Sequence, residues 1–169
     1  GRPKLIVSGA SSASTGLMGI VWRIGPQDRV LMPGPLYHNG PLITTFAALE
    51  VGASVVMMPK FDAEKTLALI DRHKITWIYT VPTMMGRMYR LPDEVKAKYD
   101  LSSLKTLWHL AAPCPPWLKQ AWIDWIGPDA VMELYGGTEG VASTILDGNE
   151  WLLHRGSVGR VVGGAEIAA

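Results

Sequence analysis

Short apolar runs alternate along this chain with longer amphipathic stretches. RVLMP (Arg29–Pro33), SVVMMP (Ser54–Pro59), ITWIYTVP (Ile75–Pro82), TLWHLAA (Thr106–Ala112) and AVMELYGG (Ala130–Gly137) are nearly unbroken in apolar or β-branched residues. That is the pattern of strands buried on both faces. KLIVS (Lys4–Ser8) is a further β-rich run at the start. Between the runs lie segments with helical spacing. TGLMGIVWRIG follows a small-residue loop, with Ser14 or Thr15 placed to cap it and Gly25 to end it. Residues 41–52 read as a helix with Asn39 as cap and Gly52 as stop. In FDAEKTLALIDRHK, Asp62 can cap, while Leu67, Ile70 and His73 share a face. PTMMGRMYRLPDEVKAKYD is helical but broken at Pro92, and PPWLKQAWIDWIG is helical up to Gly127. The end differs. ASTILDGNEWLLHRG shows two β-like runs around Asp147–Gly148, which predicts a hairpin.

Strands alternating with helices predict an α/β fold, a mostly parallel sheet with helices on both faces plus a C-terminal β-hairpin region. Ligands of such sheets bind beyond the carboxyl ends of the strands. The loops that matter are therefore Pro33–Asn39, Val81–Thr83, Ala111–Pro115 and Tyr135–Gly140, and they are expected to gather along one edge.

Composition narrows the function classes. An apolar content of 48% in 169 residues supports a packed core, and a net charge of +1 offers no electrostatic footprint for nucleic acid. No stretch approaches the ~20 apolar residues of a membrane span. The single cysteine, Cys114, suits a reducing compartment, here read as cytoplasmic. Between prolines in APCPP it reads as a small buried residue rather than a nucleophile. No secretory leader is visible. The four histidines lack metal-ligand spacing, and no Gly-x-Ser-x-Gly elbow is present.

Four places could carry chemistry. In YGGTEG, Tyr135 offers a ring for stacking a purine, and Gly136 and Gly137 admit a ligand close to the backbone. Thr138 offers a hydroxyl to a phosphate, and Glu139 a carboxylate to Mg²⁺. The alternative is a tight turn whose polar residues are solvated. In PLYHNG, His38 follows a strand end, where it could orient a carboxylate or simply be structural. Met84, Met85 and Met88 follow VPT and either line an apolar acyl pocket or pack the core. The loop SGASSASTG lacks the lysine and glycine spacing of a Walker motif and reads as a helix cap.

Taken together, these motifs resemble the AMP-forming acyl-CoA synthetase superfamily, which also includes luciferases, coumarate ligases and peptide adenylation domains. Gly1-Arg2-Pro3-Lys4 looks like the tail of its phosphate loop, and Pro35-Leu36-Tyr37-His38 matches its P-[LF]-[FY]-H motif. Tyr135 to Glu139 matches Y-G-x-T-E, and SVGRVVGGAEI resembles the segment that follows, with Gly163 where proline is usual. The order and spacing agree along the whole chain.

The resemblance implies ATP, Mg²⁺ and CoA as cofactors and a small-molecule carboxylic acid as substrate. Tyr135 would stack on adenine with Ala111, Ala112 and Pro113 bordering its other side. Thr138 would contact the phosphate, Lys4, Gly136 and Gly137 would belong to the same cofactor-binding set, and Glu139 would bind the metal. Thr138, Glu139 and His38 would be the catalytic set, and His38, Val81, Thr83, Met84 and Met85 would line the acyl tunnel. An apolar, fatty or bulky acid is expected. Delivery to a carrier protein or an amine, or nucleotide binding without catalysis, are the other readings.

Departures from the pattern are Leu5 where glycine often stands and Ala111–Ala112 for a common Gly-Gly or Gly-Ala, which narrows the expected adenine slot. The hydroxyl-rich start of the phosphate loop, the ribose-binding aspartate and the lysine-bearing C-terminal domain are not in the sequence. Residues 1–169 are thus expected to be one AMP-binding subdomain, cut at both ends and inactive alone. Oligomeric state is not legible.

Overall fold

Two strands are buried along their whole length, WIYT and TLWH, and they form the middle of the sheet. The structure is a computed structural model that describes residues 19–138 and 142–162. Its strands are β1 (Arg29–Met32), β2 (Ser54–Met57), β3 (Trp77–Thr80), β4 (Thr106–His109), β5 (Val131–Gly136), β6 (Ser143–Asp147) and β7 (Arg160–Val162). Its helices are α1 (Asn39–Glu50), α2 (Ala63–His73), α3 (Pro82–Tyr89), α4 (Asp93–Lys96), α5 (Pro116–Ile126) and α6 (Gly148–Leu153). The strands make one sheet in the order β2-β1-β3-β4-β5-β6-β7. It is parallel from β2 to β5, and β6 and β7 add antiparallel.

Strand alternation splits the core into two layers. Leu31, Ile78, Leu107 and Val131 face α2, α3, α5 and Trp151 of α6. Val30, Met32, Trp77, Tyr79, Trp108 and Met132 face α1 and the segment around Trp22. That segment is tied down by two indoles, since Trp77 Nε1 and Trp108 Nε1 both donate to the Trp22 carbonyl, at 2.7 and 3.0 Å.

The caps follow local chemistry. Asp62 accepts from the Lys65 amide at 2.9 Å at the start of α2, as its sequence predicts. The helix after PLYH begins at Asn39, so His38 rather than Asn39 is its N-cap. Gly25 does not end a helix; its amide donates to Asp28 Oδ2 at 2.8 Å in the turn before β1.

The hairpin expected at Asp147–Gly148 is absent. Asp147 ends β6 and caps α6 by accepting from the Glu150 amide at 2.9 Å. Aspartate followed three residues later by glutamate is a helix-start signal, and the helix buries Trp151 in the core. The antiparallel pairing lies earlier, between β5 and β6, with Gly136 opposite Ser143.

Candidate active site

Four strand-to-helix or strand-to-strand loops meet at the carboxyl ends of β1, β3, β4 and β5 around one cavity of about 630 Å³. Each of the four loops singled out in the sequence contributes: Gly34, Pro35, His38 and Asn39 after β1, Val81 and Met84 after β3, Ala111 after β4, and Gly136 to Thr138 after β5. Trp22, Ile43, Tyr79, Leu110 and Leu134 supply an apolar wall. The lining is mostly apolar with a few polar groups, among them His38, Asn39, Thr138 and Ser143, the composition of a small-molecule site.

The loop after β1 is drawn tightly over the sheet. A Cβ on Gly40 would lie 2.7 Å from the Tyr79 hydroxyl, and one on Gly34 would lie 2.9 Å from Pro41 Cγ. The glycines flanking PLYH thus let α1 close over Tyr79, and His38 comes to stand at the cavity with its ring against Tyr37, centroids 4.7 Å apart. Burial pushes the Tyr79 phenol up to about 12, so it stays neutral through the physiological range.

The loop after β4 bends through Ala111 at φ 71°, the left-handed region where a Cβ is strained. Ala111, Ala112 and Pro113 are exposed, and only Ala111 lines the cavity. Replacing Ala111 by glycine removes that strain at the cost of some unfolded-state entropy, and is expected to stabilise by ~1 kcal/mol, a rise of a few degrees in melting temperature. A fall in melting temperature would contradict this.

At the end of β5, Gly136, Gly137 and Thr138 line the cavity, while Tyr135 points to the other face and is 60% exposed. His109 of β4 pairs in register with Glu133 of β5. Two residues on from this last ladder pair the chain reaches Ala111 in the loop after β4 and Tyr135 on β5, so both leave the same edge of the sheet.

Some expected residues lie elsewhere. Met85 and Met88 are fully buried in the core against α2 and α5, because α3 starts at Pro82 and turns their side chains inward. Thr83 is exposed and does not line the cavity. Lys4 and Glu139, with the loop SGASSASTG and Gly163, lie outside the described residues. Trp22, Ile43, Tyr79, Leu110 and Ser143, which no motif marks, also line the cavity, as do Gly34 and Gly40 on either side of PLYH. The paired glycines around PLYH were the available signal.

Among the described residues no three His, Cys, Asp or Glu side chains group as a metal site. Burial raises the Cys114 thiol to about 11, so it is protonated at neutral pH and not a nucleophile. No described helix is long and apolar enough to cross a membrane.

The family model for AMP-binding enzymes matches residues 1–168. The chain belongs to the AMP-binding enzyme family. This AMP-binding chain is 33% identical over 138 residues to the mitochondrial medium-chain acyl-CoA ligase ACSF2 of Mus musculus, covering 79% of the chain and 22% of the relative. It is 33% identical over 114 residues to a putative acyl-CoA synthetase, YngI, of Bacillus subtilis, covering 67% and 20%. The N-terminal domain of FACL13 from Mycobacterium tuberculosis superposes with a TM-score of 0.70 at 28% identity, over 81% of this chain and 34% of that one. The chain therefore spans about a fifth of the length of these curated relatives.

Proposed function

We propose that this AMP-binding chain forms the nucleotide and acyl sites of a larger ATP-dependent carboxylate–CoA ligase. The observation that carries this reading is the convergence of the four loops on one cavity, whose lining includes the bare backbone of Gly136 and Gly137, the Thr138 hydroxyl and the apolar Trp22, Ile43, Tyr79 and Met84. Tyr135 and the Ala111–Pro113 loop would hold adenine, Lys4, Gly136, Gly137 and Thr138 the phosphates, and His38 the acid's carboxylate.

In the reaction, a carboxylate oxygen attacks the α-phosphorus of ATP and pyrophosphate leaves, giving an acyl adenylate. The CoA thiolate then attacks the acyl carbon and AMP leaves. Attacking and leaving groups are both anionic in the first step. The chain's task is to hold them in line and to place donors where charge accumulates. The Thr138 hydroxyl and the glycine amides are such donors. Mg²⁺, when bound, neutralises phosphate charge, and Glu139 is the carboxylate assigned to it. One carboxylate together with phosphate oxygens suits that ion, which needs no cage of protein ligands.

The apolar wall favours a fatty or bulky ring acid. The single cysteine supports a reducing compartment such as the cytoplasm. A second reading, delivery of the adenylate to an amine, draws support from likeness to the amide bond synthetase McbA of Marinactinospora thermotolerans, with a TM-score of 0.68 and 26% identity over 82% of this chain and 27% of that one. The test is product analysis with the full-length protein, ATP, CoA and a panel of aliphatic, aromatic and polycyclic acids. The expected result is a thioester with one class of apolar acid. AMP release that yields an amide in the presence of amines, with no thioester, would favour the second reading. ATP binding with no AMP release would leave a non-catalytic nucleotide module.

A further inference from the structure

On the α5 side of the sheet, beneath the loop after β4, three ionisable side chains are buried together. Lys119, in the first turn of α5, is 2% exposed and forms an ion pair with Glu133 of β5. Its ammonium also lies 5.3 Å from the Trp151 ring centre. His109 stands opposite Glu133 in the ladder and is fully buried, with neither ring nitrogen hydrogen-bonded. Such an arrangement is a poor way to gain stability. Taking both charges out of water costs about what their attraction returns, and apolar residues of the same volume would pack as well. What a buried ion pair adds is a fixed distance between the elements that carry it.

The elements it joins are the ones that border Tyr135. The loop 110–115 begins at the end of β4 and runs into α5 through Pro115, whose carbonyl accepts from the Leu118 and Lys119 amides at 2.9 and 3.1 Å. Among the described residues, Ala111, Ala112 and Pro113 make no hydrogen bond outside the sheet ladder. Among the described residues, the loop is held at its two ends. One end is the β4 ladder; the other is the first turn of α5, which Lys119 fastens to β5. Glu133 lies two residues before Tyr135 on the same face of β5, so the pair sits one rung below the tyrosine ring.

We propose that Lys119 and Glu133 are positioning residues that set the gap between the Ala111–Pro113 loop and Tyr135. They would thereby tune affinity for the adenine ring and leave affinity for the triphosphate and the acid unchanged. The inference rests on the reading that this gap holds adenine.

The test uses the full-length protein. Lys119→Met alone leaves Glu133 buried and unpaired and can fail to fold, so the informative variant is Lys119→Met/Glu133→Leu, which removes both charges. It is expected to melt within a few degrees of the unaltered protein and to bind ATP about five- to tenfold more weakly in calorimetry. Competition by inorganic tripolyphosphate and the KM for the acid stay unchanged, because neither involves adenine. Lys119→Arg, which keeps the charge, is expected to stay within about twofold for ATP. Tyr135→Ala serves as the reference, with an expected loss of roughly tenfold for one lost stacking contact. ATP affinity untouched in the double variant but lowered by Tyr135→Ala would overturn the positioning role alone. ATP affinity untouched in both would overturn the adenine slot and the inference with it. Equal losses for ATP and tripolyphosphate would show general loosening of the fold and would also overturn it.

Discussion

Replacing Gly159 by alanine is expected to destabilise the chain by about 3 kcal/mol or more, one of the largest effects available to a single methyl group here. Gly159 has φ 96°, where an L side chain is strained, and its Cβ would lie 2.0 Å from the Ile145 carbonyl oxygen. That oxygen belongs to the backbone of β6 and cannot rotate aside. The methyl group can be admitted only by lifting the residues before β7 away from β6. This stretch is otherwise well held. Thr144 Oγ1 donates to the Val158 carbonyl at 2.5 Å, the Gly159 amide donates to Ser157 Oγ at 3.0 Å, and Arg160 pairs with Ile145. Val162 of β7 lines the cavity, so the damage reaches the site. Urea unfolding is the check: the midpoint should fall with the slope retained. An unchanged midpoint would show that β7 does not pack on β6 as described.

A second large effect is acid lability carried by His109. Burial, helped by the nearby Lys119 charge, lowers its pKa to about 3 from an ordinary value of 6.5. Below about pH 6.5 the unfolded chain binds a proton that the folded chain refuses until about pH 3. Stability is therefore full above 6.5 and falls by about 1.4 kcal/mol for each pH unit below it, a loss of roughly 2 kcal/mol at pH 5. His109→Leu removes the titrating group and fills the same buried site. The comparison is the drop in melting temperature between pH 7.5 and pH 5 in the two proteins. The unaltered chain should lose several degrees more than the leucine variant. Equal losses would mean that His109 is not buried as an unpaired neutral ring.

Much of the architecture was legible because it rests on local chemistry. Continuous apolar runs such as ITWIYTVP can be central strands only if both faces are covered, and Asp62 ahead of a helical period can hardly be other than a cap. The four loops were legible for the same reason, since a parallel sheet places everything after its strands on one edge. What failed was decided by packing. Asp147–Gly148 carries both a hairpin signal and a capping signal, and burial of Trp151 selected the second. Met84 and Met85 are adjacent and chemically identical, yet one lines the cavity and the other fills the core, according to which side of α3 each occupies. Lys119 could not be placed at all. In PWLKQAW a lysine reads as the solvated face, and only the tertiary contact with Glu133 turns it inward.

The central claim is that the cavity edged by His38, Thr138 and the Ala111–Pro113 loop activates a carboxylate on ATP. Carboxylate-dependent exchange of labelled pyrophosphate into ATP, measured on the full-length protein, tests it most directly. The result predicted is exchange that depends on one class of apolar acid and falls about a hundredfold or more in Thr138→Ala and Glu139→Ala, in keeping with the loss of a donor or metal contact made in the transition state. Exchange that needs no acid, or that is indifferent to both substitutions, would contradict it.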